Sequence, residues 1–388
     1  MSDAPSGDGA ARAALFDGVY AGRRVLVTGD TGFKGSWLCV WLAGLGATVD
    51  GYALAPPTDP SLFELLALGG EVAHVTGDVG HLAALTAAVE HFAPEMVFHL
   101  AAQPLVRPSY ADPRGTFETN VMGVANLFEA VRSCPSVRVV VIVTSDKCYE
   151  NRETTHAYSE ADALGGHDPY SASKGCAELV TGAYRRSYFG AGSGVCVASA
   201  RAGNVIGGGD WAADRIVPDC VRAIGAGTEV LVRRPDAVRP WQHVLESLSG
   251  YLWLGARLLS DGHERDGAWN FGPGAGSRVS VAEVVENFLA AYGAGSWRAA
   301  DAVVEELHEA GLLLLDCAKA RDELAWSPVW DVSAAIARTA AWYRAWATGG
   351  VDLRAALQAD IAEYVGDARA EGLPWAGGCD APTGSAPS

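Results

Sequence analysis

Lysine is almost missing from this chain. Among 388 residues there are 25 Arg but only four Lys: Lys34, Lys147, Lys174 and Lys319. Arginine stays charged in proteins, whereas the compact ammonium of lysine has a pKa that burial lowers. A lysine kept where arginine supplies the generic surface charge therefore marks a place where arginine will not serve; chance scatter is the plain alternative. Positive charge as a whole is also short, and the net charge is −17. A phosphate backbone needs a basic face, so nucleic acid is excluded as an expected partner. An acidic protein that binds an anionic substrate has to gather its few cations locally. The eight Cys are dispersed, with no C-x-x-C and no His cluster beside them. That argues against a metal site or a disulfide framework and suits a reducing cytoplasm. No apolar run approaches the ~20 residues of a membrane span, and Met1 to Val19 lacks the apolar heart of a signal sequence.

Apolar residues make up 49% of the chain and charged residues 19%, enough for one large core or two domains. Arg24 to Thr28 is a short apolar strand running into Gly29-Asp30-Thr31-Gly32-Phe33-Lys34-Gly35 and then a helix, Ser36 to Leu45. Strand, glycine turn and helix form the context a dinucleotide needs: the glycines let backbone approach a pyrophosphate, which the helix N-terminus then faces. Here the spacing is GxxGxxG, not GxGxxG. The next strand, Thr48 to Leu54, ends without the acid that would hold an adenosine ribose. No Arg stands there for a 2′-phosphate either, which favours NAD over NADP. Strands follow at Glu71 to Val75 and Met96 to Leu100. Asp78 after the third strand is either an acceptor for an adenine amine or an N-cap for a helix near His81. The helix Thr116 to Val131 contains Asn120, which is either a brace for backbone or a cofactor contact. A fifth strand, Val139 to Val143, a long helix, Tyr170 to Phe189, and a sixth strand, Val195 to Ala200, complete the alternation.

This order predicts an α/β fold: a Rossmann-type doubly wound parallel sheet with a smaller C-terminal substrate-binding lobe. The expected layout is a loose leader over 1–20, a cofactor-binding domain over 21–204 with 242–262 packing back on it, the lobe over 205–241 and 263–365, and a disordered tail over 366–388.

The chemistry is concentrated where the fifth strand breaks into Thr144-Ser145-Asp146-Lys147-Cys148-Tyr149. Carboxyl ends of strands are where ligands bind in open α/β sheets. Tyr170-Ser171-Ala172-Ser173-Lys174 follows, with Tyr and Lys one helical turn apart on one face. A phenol is a poor base at neutral pH. A nearby ammonium and a cationic nicotinamide favour its phenolate. Tyr170 can then take a proton from a sugar hydroxyl that Ser145 holds, while hydride leaves the same carbon. Asp146 and Lys147 narrow the reading. A C4 ketone acidifies C5–H, and loss of water across C5–C6 needs a base at C5 and an acid at the C6 hydroxyl. An ion pair capping the strand end is the structural alternative.

At these residues the sequence resembles the extended short-chain dehydrogenase/reductase family and, within it, the CDP-glucose 4,6-dehydratases. The segments are TGFKGSWL (Thr31 to Leu38), HLAAQPLVRPSYADP (His99 to Pro113), TSDKCYENRE (Thr144 to Glu153), DPYSASKGCAELV (Asp168 to Val180), SARAGNVIGGGDWAADR (Ser199 to Arg215) and RPWQHVLE (Arg239 to Glu246). The resemblance implies a recycled NAD and conversion of CDP-D-glucose to CDP-4-dehydro-6-deoxy-D-glucose, in a homodimer formed through the helices near 116–131 and 170–189. It implies Ser145, Tyr170 and Lys174 as the redox triad, Asp146 as the acid and Lys147 as the C5 base. Around the cofactor it places Gly29, Gly32, Phe33, Gly35, Asp78, Val79, Leu100, Ala101, Ala102 and Asn120, besides Tyr170 and Lys174. On the substrate side it places Gln103, Asn204, Arg215, Arg239 and His308. The alternatives within the fold are a nucleotide-sugar 4-epimerase or a dehydratase of another nucleotide hexose. A non-catalytic NAD-binding regulator is opposed by the intact Ser-Tyr-Lys set. Similar sequences read GHTGFKGSW, whereas position 30 here is Asp. A carboxylate close to a pyrophosphate repels it unless it turns outward or caps the turn.

Overall fold

The computed structural model describes residues 15–274, 278–300 and 311–377. Seven strands form one sheet: β1 Arg24–Thr28, β2 Thr48–Ala53, β3 Ala73–Thr76, β4 Met96–His99, β5 Val139–Val143, β6 Cys196–Ala202 and β7 Gly267–Phe271. All pairs are parallel, in the order β7-β6-β5-β4-β1-β2-β3. β5 is buried along its whole length, as a central strand covered on both faces must be, and its unbroken Val/Ile run follows from that.

Alternate strand residues feed two cores. Val25, Val27, Phe98 and Val141 face one, together with Trp37 and Trp41 of α1 (Phe33–Gly44). Leu26, Val97, Val140 and Ile142 face the other, with Leu85 and Val89 of α2 (Leu82–Phe92) and Leu127 and Phe128 of α3 (Gly123–Ser133). The catalytic helix of the sequence reading is α4, Pro169–Ser187. Asp168 caps it, accepting from Ser171 N at 2.9 Å, and Pro169 occupies the first turn where its missing N–H costs nothing.

Thr28 pairs with Tyr52 on one side and with His99 on the other. The strand order reverses between β1 and β4, so the carboxyl ends of β1, β4 and β5 open on one crevice, the usual ligand position in such sheets. Beyond β6 the chain makes a smaller lobe of two-stranded pieces. Val230–Val232 pairs with Trp297–Ala299, and Val238–Pro240 with Arg278–Ser280. Helices α5 (Ile216–Ala226), α7 (Val281–Tyr292) and α8 (Val332–Thr348) pack around them. Between, α6 (Val244–Asp261) lies against β5 and β6.

Three features differ from the sequence reading. Packing reaches further toward both ends than the expected leader and tail: Phe16 and Trp375 are fully buried and stack at 5.2 Å, and α9 runs Leu353–Ala370. Residues 267–271, expected in the lobe, form the edge strand β7 of the main sheet. The helix expected over Thr116 to Val131 is interrupted by a π-helical turn, Glu118–Met122, which carries Asn120 inward.

Candidate active site

The glycine turn after β1 is built for close approach. Gly29 has φ +78°, and a Cβ there would lie 2.7 Å from Ala101 N; a Cβ on Gly35 would lie 2.1 Å from Gly29 O. No side chain caps the first amides of α1, so they remain for an anion such as a pyrophosphate. The Asp30 carboxylate does not face that anion. It is fully buried, turned under the sheet edge against His74 Nδ1 at 2.8 Å. The turn, its amides and the redirected Asp30 all fit a bound dinucleotide. Phe33 is half-buried at the start of α1.

The other expected cofactor residues stand on the loops after β3 and β4 and on the π-helical turn before α3. Leu100 N and Ala101 N reach back to Thr28 O and Thr28 Oγ1 at 3.0 and 3.3 Å. Ala102 follows on the same half-buried turn. Asp78 Oδ1 accepts from Gly80 N at 2.8 Å, and His81, not Asp78, is the N-cap of α2. Val79 is buried against the backbone of Gly123, where a Cβ would lie 2.7 Å from it. Asn120 braces: its Oδ1 accepts from Gln103 N at 2.8 Å, and its Nδ2 donates to Ser173 Oγ at 2.8 Å. It thereby ties the loop after β4 to the turn of α4 that carries Tyr170. The Gln103 side chain serves its own loop, donating to Leu105 O and Thr116 Oγ1 at 3.0 Å.

Ser145 stands two residues past β5 and caps a single 3-10 turn, Asp146–Cys148. Its Oγ donates to Asp146 Oδ1 at 2.9 Å and accepts from Lys147 N at 3.3 Å. Asp146 Oδ2 is buried without a hydrogen bond, beside Gly203. Burial pushes the Asp146 carboxyl up, against the pull of Lys147, Ser145 and Arg239. A carboxyl kept protonated more readily than usual is the form a general acid needs. Lys147 is half-buried next to it.

Burial pushes the Tyr170 phenol up to about 12; a hydrogen bond with Ser145 pulls it down, Asp146 pushes it up and Arg215 pulls it down. Without a bound nicotinamide the phenol is therefore held protonated, and the phenolate of the sequence reading depends on that added positive charge. Lys174 is lowered to about 8, first by burial, with Glu178 and Cys148 opposing. Its Nζ lies 3.5 Å from Val143 O, at the root of the Ser145 turn.

Arg215 is held by Asp210 at 2.9 Å and acts electrostatically on Tyr170. Arg239 is buried and acts on Asp146. Asn204 is half-buried, its carbonyl accepting from Gln242 N at 3.0 Å. His308 lies outside the described residues.

Two groups at the site escaped the sequence reading. Lys34 is lowered to about 7 by burial and by the charges of Arg215 and Lys174, with Asp146 opposing; its Nζ donates to Tyr251 Oη at 3.3 Å. The scarcity of lysine was the signal. Behind Lys174, Glu178 forms a buried pair with Arg201 at 2.8 Å. It also accepts from Ser199 Oγ at 2.6 Å and from Thr144 Oγ1. Burial opposes its charge, yet Arg201, Ser199 and Thr144 hold its carboxyl below the usual range. Its place four residues after Lys174, on the same helical face, was legible.

A glycine cradle, a Ser-Tyr-Lys set and an acid–amine step meet at one crevice. The family model described as GDP-mannose 4,6 dehydratase matches residues 26–339. The chain belongs to this dehydratase family. Its members are NAD-dependent hydro-lyases of nucleotide sugars. It is 45% identical over 350 residues to CDP-glucose 4,6-dehydratase of Salmonella typhimurium, covering 89% of this chain and 97% of that one. A dTDP-glucose 4,6-dehydratase of Streptomyces antibioticus is 30% identical, over 82% of this chain and 92% of its own. Among solved structures, DesIV, a dTDP-glucose 4,6-dehydratase of Streptomyces venezuelae crystallised with NAD, superposes with a TM-score of 0.69. It is 26% identical, over 83% of this chain and 97% of that one.

Proposed function

We propose that this dehydratase acts on CDP-D-glucose and yields CDP-4-dehydro-6-deoxy-D-glucose, for use in deoxysugar synthesis. The observation that carries the reading is the Ser145-Asp146-Lys147 step at the end of β5, in a chain 45% identical to a CDP-glucose enzyme along nearly its whole length. Oxidised nicotinamide, when bound, supplies the acceptor and later the donor of one hydride and a positive charge beside the phenol.

The chain's own residues do the rest. Tyr170 Oη takes the proton of the C4 hydroxyl, and Ser145 Oγ holds that hydroxyl in line. Lys174 stabilises the phenolate from one turn away. Lys147, in its neutral form, removes the C5 proton and gives a proton back to C5 when the hydride returns to C6, and Asp146 protonates the departing C6 hydroxyl as water. Arg215 and Arg239 are assigned to the diphosphate, where forked guanidinium contacts suit phosphate oxygens. Asn204 is assigned beside them near the diphosphate, His308 to the nucleotide side, and Gln103 to the substrate. In the cofactor site, Gly29, Gly32, Phe33 and Gly35 take the pyrophosphate. Asp78 and Val79 take the adenine side, and Leu100, Ala101, Ala102 and Asn120 the nicotinamide side. We assign residues 205–241 and the chain after β7 to a substrate lobe. We also infer a cytoplasmic homodimer; the seven described cysteines, all free, fit that compartment.

The deciding experiment is turnover of CDP-, dTDP- and UDP-glucose, with and without added NAD. A 4-keto product that absorbs in alkali, formed fastest from CDP-glucose, is expected. CDP-galactose as the product, or faster turnover of another nucleotide, refutes the assignment.

A further inference from the structure

A second cavity lies on the far side of the Glu178–Arg201 pair, away from the redox crevice. It has a volume of about 310 Å³, and its charged lining is Glu160, Glu178, Arg185, Arg186, Arg201 and Lys319. Four cations from three separate elements meet there in a chain of net charge −17. Arg185 and Arg186 come from the last turn of α4, Arg201 from β6, and Lys319 from the short helix Ala318–Leu324.

The two carboxylates do not neutralise them. Glu178 is taken up by Arg201, Ser199 and Thr144. Glu160 accepts from Asn270 N at 2.7 Å, and burial raises its pKa. Nearby Asp266 is engaged by Val197 N and His263, each at 2.8 Å. Lys319 spends one of its three N–H bonds on Ala268 O at 2.9 Å. Among the described residues, the side chains of Arg185 and Arg186 make no hydrogen bond or ion pair. Burial and the charges of Arg186 and Arg201 hold Arg185 below its usual pKa, and Asp266 and Glu178 only partly offset them.

Cations in the last turn of a helix answer its dipole, which accounts for Arg185 and Arg186 singly. It does not account for Arg201 and Lys319 facing the same space from other elements. Three under-used cations around a concave space are complementary to a compact anion with several acceptor oxygens, which guanidinium forks grip in pairs. The volume exceeds that of a bare phosphate and lies at the low end of small-molecule sites.

We propose that this cavity binds a phosphate group, free or as a small sugar ester, through Arg185, Arg186 and Lys319, with Arg201 at its floor. The site lies outside the redox and substrate crevice and does not depend on which nucleotide sugar the enzyme turns over.

The test is calorimetric titration of inorganic phosphate into the NAD-saturated full-length enzyme at constant ionic strength. It is repeated on Arg185→Gln/Arg186→Gln and on Arg185→Lys/Arg186→Lys. Saturable binding that weakens about tenfold or more in the Gln pair, and is largely kept in the Lys pair, is expected. Turnover in phosphate-free buffer stays at the wild-type level in both, which shows that the variants fold. A hexose phosphate arm separates the sources: tighter binding than phosphate identifies an ester as the occupant, and equal or weaker binding identifies free phosphate. No saturable binding to the wild type, or the same affinity in the Gln pair, overturns the proposal.

Discussion

Tyr170 depends on its neighbours more than any other residue of the site. Burial holds its phenol at about 12 even with the pull of Ser145 and Arg215, so the proposed proton removal relies on the positive charge of a bound cofactor. The order Ser145, Tyr170, Lys174 was legible because the spacing of a helical turn and the end of an apolar run are local signals. The burial that shifts their pKa values was not, and neither was the approach of Arg215 to Tyr170 from a distant stretch, whereas Glu178, which acts on Lys174, lies one turn along the same helix. Lys147→Ala is expected to reduce bound NAD with CDP-glucose yet lose dehydration by about 10²–10⁴-fold, the range for a general base. Absorbance of the reduced nicotinamide, read beside the 4-keto product, separates the steps; unchanged dehydration would put the C5 base elsewhere. Glu178→Gln leaves the Arg201 charge unpaired among buried groups, and breaking such a pair costs about 3–5 kcal/mol. Urea unfolding measures this, and Glu178→Gln combined with Arg201→Met recovers part of it if the unpaired charge is the cause.

At the scale of elements, the strand and helix alternation from β1 to β6 was readable because β1, β4 and β5 carry short apolar runs and the turns after β1 and β3 carry glycines. Boundaries at β2 and β3 shift by one or two residues, as expected where pairing, not sequence pattern, ends a strand. What could not be read was which distant pieces join. Phe16 and Trp375 stand at opposite ends of the chain, and nothing local says that they stack. Trp375 also packs on Trp41 of α1 and Tyr364 of α9. Trp375→Ala is expected to cost about 3–5 kcal/mol in denaturant unfolding, with turnover per folded molecule kept. A loss below about 1 kcal/mol would show that these ends are not part of the cooperative core.

Glu246 on α6 joins three elements in one buried contact. It accepts from Val329 N and Trp330 N at 3.0 and 2.7 Å and from Tyr364 Oη at 2.8 Å. Burial raises its pKa from 4.5 to about 7, against those hydrogen bonds. A raised carboxyl means that the folded state binds the extra proton. This contribution therefore falls as pH rises from about 4.5 to about 7 and is level above that, by about 3 kcal/mol in all. Glu246→Gln is expected to remove this slope from the stability curve; the same slope in the variant would assign it to other groups.

At the scale of the whole molecule, the sequence carried the fold class and the direction of the active crevice. The crevice follows from strand order reversing between β1 and β4, and strand order is set by crossover helices whose apolar faces the sequence displays. The assembly is less legible, because an interface is an exposed face that the chain's own core does not explain. Met122 and Tyr188 are about half exposed, at 53% and 51%. They belong to the two helical segments, around α3 and α4, that the resemblance assigns to a dimer. Large apolar side chains left exposed on adjacent helices mark an interaction surface more readily than scattered ones. Sedimentation of the native protein is expected to give twice the 40.4 kDa chain mass. Met122→Asp with Tyr188→Asp places two carboxylates in each protomer's face, and burying unpaired charge at an interface costs several kcal/mol. The double variant should therefore sediment as a monomer at micromolar concentration. A variant that stays dimeric would move the interface off these helices. A native protein that is already a monomer would leave the crevice, whose named side chains all come from one chain, to work without a partner.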